Sequence, residues 1–262
     1  MARRLGEYQA YLFDVDGTLV RPGEALPGIP AAIHALRRAG KTVRFVTNNS
    51  NYPQAEVAAR FRSFGLPADE GDVFSALTGA VTLIRAERPG ARVHVFGSDG
   101  LRGELRRAGL TVTDGEDAQY VVAGYNPGVS LENIGRAMRT VLAGAKLIAV
   151  NRDRRYMGHE ELVPGAGVFV AMLETATGRP ADVVVGKPSP AIIQEAMASI
   201  GCAPADCLIV GDNLESDMAA AHAAGVDSLM VLTGVSQERD IAATTFAPTH
   251  LLTSVAELPN HL

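Results

Sequence analysis

The chain is poor in cysteine, in excess basic charge and in long apolar runs. Its 262 residues include only two cysteines, Cys202 and Cys207, without CxxC spacing. They read as free thiols, not as a disulfide framework or a thiolate metal site. No apolar run approaches the roughly 20 residues that a membrane span needs. The opening MARRLGEYQA has arginines but no apolar stretch behind them, so it does not read as a secretory signal. A net charge of −5 argues against broad nucleic-acid binding. The expectation is a cytoplasmic protein with neither nucleic-acid nor membrane partners.

Apolar material is plentiful: 47% of residues are hydrophobic, enough for one large core or two smaller ones. Short apolar runs alternate with helical patterns along the chain. Strands are expected at 10–13, 42–47, 91–96, 120–124, 146–150, 183–185, 207–210 and 226–232. Helices are expected after Pro27-Gly28-Ile29-Pro30 and Pro53, over 101–108, 131–142 and 167–177, and in the Ala-rich segment that Gly225 closes. This alternation implies an α/β fold with a doubly wound parallel sheet. The rhythm restarts near residue 79, and the block 79–181 has no DxDG-like pair of its own. It reads as a domain inserted between 1–78 and 182–262.

The stretch AYLFDVDGTLV at 10–20 organises the rest. Its apolar run delivers Asp14 and Asp16 just beyond a strand end, where open parallel sheets bind ligands. An Asp-Gly turn is common at such a place, so the pair by itself defines little. Two carboxylates that close repel unless a cation lies between them, which calls for a hard ion such as Mg²⁺. Three further strand ends supply a hydroxyl with amides (Thr47, Asn48), a cation (Lys187) and a second acidic pair (Asp212, Asp217). Together these groups suit phosphoryl transfer. A carboxylate attacks phosphorus, Mg²⁺ and Lys neutralise the phosphoryl oxygens, and backbone N–H groups near Gly17 with the Thr47 hydroxyl take the rest.

The segments DVDGTLV, TNNS, GKPSP and GDNLESD, in this order, resemble the four motifs of the haloacid dehalogenase (HAD) superfamily. VVAGYN, VNRD and PGAGVFVAMLETATGRP resemble subclass IIA, the NagD-like and 4-nitrophenylphosphatase-like phosphatases with a type-IIA cap. The resemblance implies a Rossmann-like HAD core, the inserted block as an α/β cap, and a Mg²⁺-dependent phosphatase for small-molecule phosphate monoesters. It makes Asp14 the nucleophile and a metal ligand. Asp16 becomes the general acid and later base, its backbone carbonyl also on the metal. Thr47, with the Asn48 backbone, holds the phosphoryl group, and Lys187 bridges nucleophile and phosphate. Asp212 binds Mg²⁺ and Asp217 supports it directly or through water. A phosphoryl transferase and a catalytically silent binding protein remain the alternatives. Asn126 and Leu131 stand in a cap loop where this subclass more often has Asp and Tyr.

Other features read as structural. The six histidines do not cluster, Gly97-Ser98-Asp99-Gly100 reads as a turn, and Pro164-Gly165-Ala166-Gly167 as a turn into a helix. The segment 150–159 is expected to be a loop; the resemblance to subclass IIA implies that it faces the core site, with Arg154, Arg155, Tyr156 or His159 near the leaving group as specificity residues, and the basic cluster Arg152, Arg154, Arg155 is a candidate for substrate contact. Caps of this subclass often mediate dimers, which leaves a homodimer through the cap open.

Overall fold

The computed structural model describes residues 3–157 and 161–262. His159, one of the expected specificity residues, lies outside them. The chain divides into two units: residues 1–47, 54–74 and 187–262 form the first, and 48–53 and 75–186 the second.

The first unit is built on a six-stranded sheet. Its order is His250–Leu252, Asp227–Val231, Cys207–Gly211, Ala10–Phe13, Thr42–Thr47, Val73–Ser75. Ala10–Phe13 pairs in parallel with Cys207–Gly211 on one side and Thr42–Thr47 on the other. All four of its residues are buried, because each face of the sheet is covered. Tyr11 and Phe13 point with Val43, Phe45, Leu208 and Val210 into one core, under the helices Ile29–Arg38 and Gln54–Ser63. Ala10 and Leu12 point the other way, towards Ile192, Ile193, Ala220 and Ala221. A strand buried on both faces reads as a continuous apolar run, as 10–13 does. Truncating Phe13 to Ala would cost about 3–5 kcal/mol.

The second unit has its own five-stranded sheet, ordered Val183–Val184, Lys146–Ala149, Tyr120–Ala123, Arg92–Phe96, Thr111–Thr113, with every pair parallel. The helices Ala76–Glu87 and Asp99–Arg107 cover one face and Leu131–Leu142 and Ala166–Thr177 the other.

Two expectations need correction, and one expected helix is preceded by a turn the sequence did not show. The run 183–185 does not resume the first sheet: Val183 and Val184 pair with Ile148 and Ala149 of the second. The Val185 and Gly186 N–H groups continue that ladder onto Ala149 and Val150. An apolar run carries no label saying which of two parallel sheets will accept it. The segment 150–159 is not all loop, since Arg155–Met157 pairs antiparallel with Leu162–Pro164. The helix after Asp212 begins as a π-helical turn, Leu214–Met218, before Ala219–Ala224. That wider turn puts Asp217 back beside its own strand end.

Candidate active site

Ala10–Phe13 is flanked by strands that the chain reaches in opposite directions, so its carboxyl end opens at the switch point of the first sheet. Asp14 continues the strand by one residue, its N–H donating to the Val210 carbonyl at 2.8 Å. Gly17 then turns the chain at φ +87°, a conformation that side chains disfavour. Asp14, Asp212 and Asp217 each offer a carboxylate oxygen within 4.8 Å of the others.

The Lys187 ammonium completes the group. It donates to Asp14 Oδ1 at 2.5 Å, Asp217 Oδ1 at 2.7 Å and the Val46 carbonyl at 3.1 Å. That uses all three of its hydrogens. Burial works against the ammonium, yet the charges of Asp14 and Asp217 and their hydrogen bonds hold its pKa above the usual lysine range. One cation does not balance three carboxylates. Burial, then the charges of Asp14 and Asp217, push Asp212 up to about 8, and burial with the Asp14 charge pushes Asp217 up to about 6. Close, buried oxygen donors with unbalanced negative charge are the donor set of a hard divalent cation. The residues present therefore fit a divalent metal.

The chain shapes itself around these carboxylates. Asp212 accepts from the Val235 N–H at 2.6 Å and the Thr18 hydroxyl at 3.0 Å. Thr18 also lies 3.2 Å from Asp14 Oδ2. A Cβ on Gly234 would come within 1.8 Å of Asp212 Oδ2, and one on Gly211 within 2.4 Å of Asp217. Thr18 and Gly234 carried no role in the sequence reading. Thr18 adjoins the DxDG stretch, a local hint; nothing marks Gly234, which meets Asp212 only through folding.

The other expected site residues divide. Thr47 is buried at the end of its strand, next to the carbonyl that receives Lys187. Asp16 is exposed and its carboxylate is not part of the three-carboxylate cluster. Gly17 donates its own N–H to the Val20 carbonyl at 2.9 Å and gives the chain its turn beyond Asp16. Asn48 belongs to the second unit, where its side chain donates to Asp153 at 3.0 Å and its carbonyl accepts from Asn151 at 2.7 Å. Arg154, Arg155 and Tyr156 are exposed on the second unit. Arg152 is engaged in a two-pronged pair with Glu174 at 2.6 and 3.1 Å.

The family profile described as haloacid dehalogenase-like hydrolase matches residues 11–111, and a second, described as HAD-hydrolase-like, matches 184–258. The chain belongs to the haloacid dehalogenase-like hydrolases. Within them it is a subclass IIA phosphatase, an enzyme of phosphate-monoester hydrolysis. It is 33% identical to the 5'-nucleotidase YutF of Bacillus subtilis over 95% of this chain and 97% of that protein. The p-nitrophenyl phosphatase from Archaeoglobus fulgidus superposes with a TM-score of 0.93 at 34% identity, covering 98% of this chain and all of that one. The glycerol phosphate phosphatase from Mycobacterium tuberculosis in complex with magnesium gives 0.89 at 33% identity, covering 98% and 78%.

Proposed function

We propose that the chain is a Mg²⁺-dependent phosphatase that hydrolyses small-molecule phosphate monoesters through an aspartyl-phosphate on Asp14. The observation that carries this reading is the sealed Lys187 ammonium, joined to Asp14 and Asp217 beside three clustered carboxylates. An Asp14 oxygen attacks phosphorus and the ester P–O bond breaks. The departing alkoxide takes a proton from Asp16, whose exposure suits a group that meets substrate and water. Water then attacks the acyl phosphate, gives its proton back to Asp16, and frees phosphate and Asp14. The Thr47 hydroxyl, the Asn48 N–H and Lys187 hold the phosphoryl oxygens. Asp14, Asp212, Asp217 and the Asp16 carbonyl would hold Mg²⁺, which when bound neutralises charge on the phosphoryl group.

The second unit is read as a type-IIA cap, with Arg154, Arg155 and Tyr156 selecting the leaving group. Arg152 is left out because Glu174 already answers its charge. Two free cysteines suit a reducing compartment, the cytoplasm. Among the described residues, no helix is long and apolar enough to cross a membrane.

The test is rapid acid quench with ³²P-labelled substrate. Label should be trapped on Asp14 in the wild-type chain and absent in Asp14→Asn, whose turnover should fall below about one per cent of wild type. Retained turnover would assign the nucleophile elsewhere. Turnover with water as sole acceptor separates hydrolysis from phosphoryl transfer to a second substrate.

A further inference from the structure

The second sheet has a switch point of its own. Arg92–Phe96 has Tyr120–Ala123 on one side and Thr111–Thr113 on the other. The outer strand is short: its last residue, Thr113, pairs with His94. Beyond that level Arg92–Phe96 has no strand neighbour on this side, and a cavity of about 210 Å³ lies against it. His94, Asp99, Arg102, Asp114, Asn126 and Arg136 line it, all within the second unit, and none belongs to the acidic site.

Two residues of its lining, largely buried as residues, turn polar atoms without a protein partner towards it. Asn126 is 6% exposed, and among the described residues its carboxamide makes no hydrogen bond. His94 is 2% exposed, and only its Nδ1 is engaged, 2.8 Å from the Thr140 hydroxyl. That hydroxyl donates to the Arg136 carbonyl at 3.0 Å, so it accepts from Nδ1–H. Burial lowers the pKa of the ring and so favours the neutral form, in which Nε2 carries the lone pair. The carboxamide and the ring nitrogen are therefore free to bond whatever occupies the cavity, and the buried, unpartnered Arg136 Nε is the group that is costly to leave unanswered.

The charges around them are unequally matched. Arg102 is committed to the Val95 carbonyl at 2.7 Å and Asp114 at 3.3 Å. Asp99 is exposed in the first turn of its helix, where the helix dipole favours an acid. Arg136 has only Glu132, 4.0 Å away and 80% exposed, and its buried Nε has no hydrogen-bond partner. The unanswered groups are therefore one guanidinium, one carboxamide and one imidazole lone pair.

We propose that this cavity is a second binding site, for a small hydroxylated anion, with Arg136 and the Asn126 amide on the anionic group and His94 Nε2 accepting from a hydroxyl. Carboxylate and phosphate share the recognised chemistry, so both are tried.

The experiment is ¹H–¹⁵N NMR on the full chain, following the Asn126 side-chain amide and the Arg136 Nε–H. D-glycerate is titrated into the wild-type chain and glycerol 3-phosphate into Asp14→Asn, which prevents its turnover. Glycerol and acetate each lack one half of the proposed ligand. At least one hydroxylated anion should shift both signals with a dissociation constant below about 1 mM, and glycerol and acetate should bind about tenfold more weakly or worse. Arg136→Leu, at a position whose side chain is 41% exposed, and Asn126→Asp, which keeps the shape but adds a like charge, should each weaken binding about tenfold or more. Circular dichroism melts confirm that both variants are folded. The proposal is overturned if neither anion moves these signals, if glycerol binds as well as the anions, or if both folded variants bind like wild type.

Discussion

The two units repeat one arrangement and finish it differently. Each has a parallel sheet in which an inner strand, Ala10–Phe13 or Arg92–Phe96, has neighbours on both sides, with polar groups gathered beyond its carboxyl end in the first and along and beyond its last residues in the second. In the first unit those groups are charged and locked to one another: Lys187 has three partners, and Asp212 is held by Thr18 and Val235. In the second the buried groups are neutral and partly unmatched, and the charges stand exposed around them. Parallel topology opens the crevice in both cases; the side chains decide what enters it. A locked charge cluster should respond sharply to a change of one or two atoms. An exposed polar surface should respond through specificity.

The sharpest break of this contrast is Gly234→Ala. The added methyl overlaps Asp212 Oδ2, and Asp212, 1% exposed, has little room to move. Overpacking of this kind costs about 1–3 kcal/mol of stability. The larger effect is on the carboxylate: the Mg²⁺ concentration for half-maximal activity should rise and kcat fall, each up to about a hundredfold, as expected when the orientation of a metal ligand is disturbed. Unchanged metal activation would show that Asp212 holds no metal.

Next comes Thr18→Val, which keeps the shape and removes one hydroxyl. A hydrogen bond to a charged group contributes about 1.5–3 kcal/mol, so kcat/KM should fall roughly ten- to a hundredfold if the orientation of Asp14 and Asp212 matters for turnover. A loss of melting temperature with full kcat/KM would leave Thr18 a purely structural role.

The mildest changes are Arg154→Ala, Arg155→Ala and Tyr156→Ala in the second unit. Each should alter kcat/KM between substrates by about tenfold while orthovanadate inhibition stays near wild type, because vanadate engages only the phosphoryl site. Wild-type substrate ranking in all three would remove them from specificity.

How much of this was legible beforehand follows from what each element depends on. Ala10–Phe13 and Thr42–Thr47 stand out in the sequence because burial on both faces demands an unbroken apolar run. Leu131–Leu142 was expected as a helix over the same residues that form it. Asp14, Lys187, Asp212 and Asp217 were legible as chemistry, since an acidic pair, a lysine and a second acidic pair each followed an apolar run. Local sequence alone determined those elements and those residue types.

Only the tertiary structure decided the remainder. The sheet that Val183–Val184 joins depends on pairing with Ile148 and Ala149, some 35 residues away by their numbers. The π-helical turn that returns Asp217 to Lys187 has no period of its own. Gly234 matters because Asp212 lies against it, and the Asn126 carboxamide because the fold turns it towards a cavity without a protein partner. Such features arise from packing between segments distant in the chain. Helix and strand periods report only which face of a segment is covered; the chain's closure decides what covers it.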